Sequence, residues 1–93
     1  MISNELKGEL QNEIKILYQN YEQEAIKAYM PLIKALTNAV LPYTATGGKE
    51  IQNIIQGIQN GVEAYKHTDI IGMADALAIA LININEPYRR ALY

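Results

Sequence analysis

Apolar residues return every three or four positions along almost the whole chain. Leu6, Leu10, Ile14, Leu17 and Tyr21 open a stripe that continues through Ala25, Ala28, Tyr29, Leu32, Ile33, Leu36 and Val40. That spacing marks one face of an α-helix. Lys7, Gln11, Asn12, Lys15, Gln19 and Gln23 lie opposite, and Glu5, Glu9 and Glu13 repeat a like charge every four residues, a mildly repulsive column. Ser3 or Asn4 can cap the start, and Glu5 suits the positive end of the helix dipole. The stripe therefore predicts a long first helix. Pro31 falls inside it, where proline removes a backbone hydrogen bond and crowds the preceding turn. The helix either kinks there and runs to about Leu41, or ends near Tyr29 and restarts at Pro31. No Ser, Thr, Asp or Asn stands just before Pro31 to cap a new start, so the kinked form is expected.

Pro42 to Gly48 reads as a loop. Thr46 or Gly47 can cap a second amphipathic helix from about Lys49 to Lys66, with Ile51, Ile54, Ile55, Ile58, Val62 and Tyr65 on its apolar side. Gly57 and Gly61 flank that stripe as G-x-x-x-G, a pair that lets another helix approach closely. His67-Thr68-Asp69 interrupts the pattern, and Thr68 or Asp69 can cap the last helix. That helix is expected to reach about Asn83 to Glu86, with Pro87 ending or kinking it. A final turn would then pack back through Tyr88, Leu92 or Tyr93.

The last helix is the most informative segment. Between Ile70 and Ile84 only Asp75 and Asn83 are plainly polar. Ile70, Met73, Leu77, Leu81 and Ile84 share one side, whereas Ile71, Asp75, Ile79 and Ile82 form a second ridge. Gly72, Ala76, Ala80 and Asn83 make a strip of small residues between them. A monomeric bundle buries one face of each helix. The second ridge therefore calls for a further cover, either the chain's own C-terminal segment or another subunit. A two-fold homodimer is the simplest form of the latter.

Composition narrows the functional classes. The 93 residues suit one domain, 1–93. The net charge of −2, with acids and bases interspersed and Arg89-Arg90 the only adjacent basic pair, argues against nucleic acid or an anionic membrane surface as a partner. There is no cysteine, hence no disulfide or thiolate chemistry. MISNELKGEL is charged and lacks the apolar run of a signal peptide. The longest apolar run falls short of the ~20 residues that span a bilayer. A cytoplasmic location is expected. Seven tyrosines, with no Phe or Trp, suit half-buried positions and interfaces better than a dry core.

Candidate chemistry is sparse. Asp75 among isoleucines could serve as an acid or base, but no second carboxylate is spaced to pair with it. The better expectation is a hydrogen bond to a Tyr hydroxyl, a backbone N–H or a Lys. His67 and Asp69 form H-x-D in a turn without further ligands at metal-site spacing, so a capping role is expected. Gly47-Gly48-Lys49 precedes a helix, but Tyr43 occupies the first glycine position of a phosphate-binding loop and Glu50 follows the lysine. No metal or cofactor is expected.

The stretch D-I-I-G-M-A-D-A-L, Asp69 to Leu77, resembles a segment of small helical domains of unassigned role in Firmicute bacteria. Those domains carry an Asp, an apolar stretch and Ala-Asp-x-Leu before a Glu-rich helix. Asp69, Ala74, Asp75 and Leu77 match, whereas Ala78 and Ala80 stand where acidic residues usually follow. The resemblance covers about a third of the chain, Gly61 to Tyr88. It implies a helical domain acting through protein contacts and transfers no catalytic residue.

Together these readings predict an all-α antiparallel bundle of three to four helices. They also predict a non-enzymatic protein-interaction module that forms a homodimer through Ile71, Asp75, Ile79 and Ile82. The alternative is a small chaperone or immunity-type protein that holds a helix of another protein in an apolar groove. An enzyme would need Asp75, His67 and a Tyr to converge in one cleft.

Overall fold

Ser3 starts the first helix as expected: its hydroxyl accepts the Leu6 N–H at 3.0 Å, satisfying one of the free donors of the opening turn. The computed structural model describes residues 2–19 and 21–92, with the side chains of 85–93 outside that description. Among the described residues there are four α-helices: α1 (Asn4–Tyr18), α2 (Glu22–Val40), α3 (Gly48–Lys66) and α4 (Ile70–Leu92). A short 3-10 turn, Leu41–Tyr43, follows α2.

The long first element is therefore two helices, and the division lies before Pro31 rather than at it. α1 ends at Tyr18 and Gln19 caps it, while Pro31 sits inside the unbroken α2. The Tyr21 N–H reaches back to the Ile16 carbonyl at 3.1 Å as the chain turns. Leu17, Tyr21 and Ala25 keep helical spacing across the turn, which is why the stripe reads as continuous. Tyr21 nevertheless lies outside the core, 57 % exposed. Turning back lets α1 pack on α2, which buries Leu10 and Leu17 together with Ala25, Tyr29, Ile33, Leu36 and Val40. Proline is tolerated in α2 because Pro31 is on its exposed side.

The helices close a ring of contacts: α1 on α2, α2 on α3, α3 on α4, and α4 back on α1. Short connections between neighbours are those of an antiparallel bundle. Tyr29 crosses the centre from α2, fully buried, and its hydroxyl donates to the Met73 carbonyl of α4 at 3.0 Å. Its ring stacks on Tyr65 of α3, with centroids 6.1 Å apart.

The most extensive contact joins α3 to α4, and small residues make it possible. Gly57 and Gly61 are buried, so the core face of α3 is centred nearer these glycines than the isoleucine stripe alone suggests. A Cβ on Gly57 would lie 3.3 Å from the Ala76 carbonyl. One on Gly61 would lie 3.4 Å from the Ala76 Cβ and collide with the Tyr29 hydroxyl. The strip predicted on α4 is thus the seam of the bundle: Ala76 and Ala80 are buried against α3. At its far end Asn53 donates to Asn83, whose own amide donates to the Ile79 carbonyl, at 3.1 and 2.9 Å.

The turn from α3 to α4 is closed by hydrogen bonds of the Schellman type. Asp69 N–H bonds the Ala64 carbonyl at 2.8 Å and Thr68 N–H the Tyr65 carbonyl at 3.1 Å. Thr68 takes the left-handed position usually given to glycine, with φ 54°. Asp69 then caps α4 by accepting the Gly72 N–H at 2.9 Å. α4 continues through Pro87 to Leu92 instead of stopping near Glu86. Packing by Tyr88, Leu92 or Tyr93 lies outside the described residues. No helix among the described residues is long and apolar enough to cross a membrane.

Candidate functional site

Successive residues of α4 step around the helix by about 100°. Gly72, Asn83, Ala76, Ala80, Met73, Ile84, Leu77, Ile70, Leu81 and Ala74, in angular order, turn toward the bundle, and all are buried or partly buried. Up to Ile84, the exposed positions of α4 are Ile71, Asp75, Ile79 and Ile82. The three isoleucines are 54 %, 49 % and 51 % exposed. A solvent-facing arc of a helix normally carries polar side chains, and here three of four positions are β-branched hydrocarbon. Among the described residues α4 continues as helix to Leu92.

Asp75, the polar member of the arc, is held from α1. The Tyr18 hydroxyl donates to its Oδ1 at 2.5 Å, between residues 57 apart in sequence. That hydrogen bond, followed by burial and the charge of the carboxylate, raises the Tyr18 phenol above its usual range. Tyr18 is itself 47 % exposed, so it widens the apolar face with its ring while its hydroxyl satisfies one oxygen of Asp75.

Beside the arc, α3 and α4 leave an open groove whose walls include Glu63, His67, Asp69, Asp75 and Ile79. The tertiary structure thus gathers the polar candidates of the sequence in one groove, and each already makes a hydrogen bond. His67 Nε2 lies 3.0 Å from Glu63 Oε1, one turn earlier on α3. Asp69 caps α4, and a Cβ on Gly72 would press directly on that capping carboxyl. Asp75 is occupied by Tyr18. Among the described residues no group of three or more His, Cys, Asp or Glu is arranged to hold a metal ion.

The functional group that the sequence reading missed is Glu13. Read there only as one member of a like-charge column, it is 1 % exposed, and among the described residues its Oε2 has no hydrogen-bond partner. Burial pushes its pKa from 4.5 up to about 7. The signal was present in the spacing. A four-residue column rotates by about 40° at each step, so Glu5 starts on the outer side and Glu13 arrives in line with the core. Glu13 stands three residues after Leu10 and four before Leu17, both fully buried. Its neighbour in the core is Tyr29, whose hydroxyl is raised well above the ordinary phenol range by burial and, to a lesser degree, by the Glu13 charge.

The chain matches no protein-family model, no curated protein and no solved structure.

Proposed function

We propose that this chain is a non-catalytic protein-interaction module that self-associates through the outer face of α4. The observation that carries this reading is the arc itself: Ile71, Ile79 and Ile82 are each about half exposed along one side of a helix. They extend over about 16 Å of its length, from the rise of 1.5 Å per residue. Pairing two such arcs across a two-fold axis would bury six isoleucines.

The magnitudes set what to expect. Fully burying an isoleucine side chain stabilises by about 1.5–3 kcal/mol, so covering the exposed half of each contributes about 1 kcal/mol. Six of them give about 6 kcal/mol, which does not clearly exceed the cost of association, about 4–15 kcal/mol. Flanking contacts, with Tyr18 the nearest large ring, must add to the interface. A micromolar dimer requires a net of about 8 kcal/mol, so these flanking contacts must supply at least as much as the six isoleucines, and a dimer weaker than an obligate one is the expected outcome.

Sedimentation velocity on the full chain across the micromolar range tests this. The expected result is a monomer–dimer equilibrium in wild type and a monomer for Ile79→Asp, with the helical circular dichroism of the variant retained. A wild-type monomer at high micromolar concentration overturns self-association and leaves the face to a helix of another protein. Unfolding of Ile79→Asp would show that Ile79 belongs to the core.

A further inference from the structure

A second feature lies between α1 and α2, away from the isoleucine arc. We propose that the groove lined by Glu13, Ile16, Ala28, Pro31 and Leu32 binds an aliphatic ammonium group, with the Glu13 carboxyl as its counter-charge. The groove holds about 330 Å³, within the range of small-molecule sites. Its walls are largely hydrocarbon, and Glu9 and Asn12 also line it. Glu13 is 1 % exposed, and among the described residues its Oε2 has no hydrogen-bond partner and no ion pair reaches it.

A buried carboxyl without a hydrogen bond is costly, and a hydrophobic side chain would serve the core better. The α2 backbone cannot satisfy it, and the Tyr29 hydroxyl of the same helix already gives its proton to the Met73 carbonyl. The N–H groups of a helix are committed to its own carbonyls, and at Pro31 there is no N–H at all. The missing partner is therefore a donor from outside the chain. A positive charge on that donor would compensate the buried carboxylate, and a short hydrocarbon body would match Ile16, Ala28, Pro31 and Leu32. A single unsatisfied oxygen suits the compact point charge of an ammonium better than the two-pronged guanidinium fork. No basic side chain lines the groove to repel it, and Glu9, one turn before Glu13, adds charge of the favourable sign.

Free aliphatic amines and lysine side chains share this chemistry, and one titration separates them. The full chain, carrying carbon-13 at the glutamate carboxyls, is titrated with n-pentylammonium, with Nα-acetyl-lysine methylamide and with neutral n-pentanol, following the Glu13 resonance by NMR. Saturable movement of that resonance by either cation is expected, with pentanol weaker by about tenfold or more. Tighter binding of pentylammonium assigns the groove to free amines, and tighter binding of the lysine derivative assigns it to a partner's side chain. Glu13→Gln should abolish the ammonium preference, read from the remaining groove resonances. Ala28→Met, which fills the groove and keeps the carboxyl, should weaken both cations. The proposal is overturned if neither cation moves the Glu13 resonance saturably, if pentanol binds equally well, or if Glu13→Gln retains the preference for ammonium.

Discussion

Glu13 carries its carboxyl inside the bundle with a pKa near 7 against 4.5 when solvated, and the consequence for stability has a definite sign. A raised carboxyl pKa means the folded chain holds its proton more tightly than the unfolded chain. Below pH ~4.5 both states are protonated and the group does not oppose folding. As pH rises through 4.5 to about 7, the unfolded state ionises first and stability falls. Above that window the full penalty applies, on the order of 3 kcal/mol from the size of the shift. Glu13→Gln removes the charge but leaves a buried amide, so a gain of about 1–3 kcal/mol is expected at pH 8. Urea unfolding of both proteins at pH 8 and pH 5 checks this. The advantage of the glutamine variant should shrink toward pH 5, and a pH-independent difference would contradict the assignment. Other carboxyls titrate in both proteins and cancel in the comparison.

Helices α3 and α4 meet closely enough that the same substitution should have opposite effects at two glycines. Gly8 lies on the exposed side of α1, and a Cβ there meets nothing within 4 Å. Gly8→Ala is expected to stabilise by about 0.5–1 kcal/mol, the ordinary gain of alanine over glycine in a helix. Gly61 faces Tyr29, whose hydroxyl is fixed by its bond to Met73. Gly61→Ala must displace that ring or part the seam, so a net loss of about 1–3 kcal/mol is expected in spite of the same propensity gain. Thermal unfolding of the two variants beside wild type gives the comparison. Equal effects at both positions would mean the seam is looser than the Gly61–Ala76 approach requires.

The molecule measures 37 × 24 × 18 Å, and this size explains the break in the first stripe. One helix over residues 4–40 would extend about 55 Å, leaving its second half with nothing to cover its apolar side. Folding back after Tyr18 places both halves on one core. The same economy leaves α4 with a surplus, because α1 and α3 cover only part of its circumference. If a second copy supplies the remaining cover, stability depends on concentration by mass action. The thermal midpoint of wild type is expected to rise across a tenfold dilution series toward the most concentrated sample. That of Ile79→Asp should stay constant. A midpoint independent of concentration in both would argue for a monomer.

Local spacing determined the elements of this protein that depend on a few neighbouring residues. The α-helical class, the Ser3 and Asp69 caps, the loop before Gly48, the tight approach at Gly57 and Gly61, and the two ridges of α4 follow from periodicity and cap chemistry. Each is fixed by contacts within a turn or two, or by which side chains can share a helix face. Tertiary structure decided the rest. The turn after Tyr18 is invisible in spacing, since Leu17, Tyr21 and Ala25 remain in phase across it, and only the need to cover both halves of the stripe breaks it. The burial of Glu13 depends on α2 packing over α1, and the Tyr18–Asp75 bond on α4 returning beside α1. How far the outer α4 ridge stays uncovered also required the whole bundle, although the sequence already set Ile71, Asp75, Ile79 and Ile82 apart as the ridge that calls for a further cover. It was settled by the small residues Ala76 and Ala80, which let α3 approach on one side and left Ile71, Ile79 and Ile82 on the other.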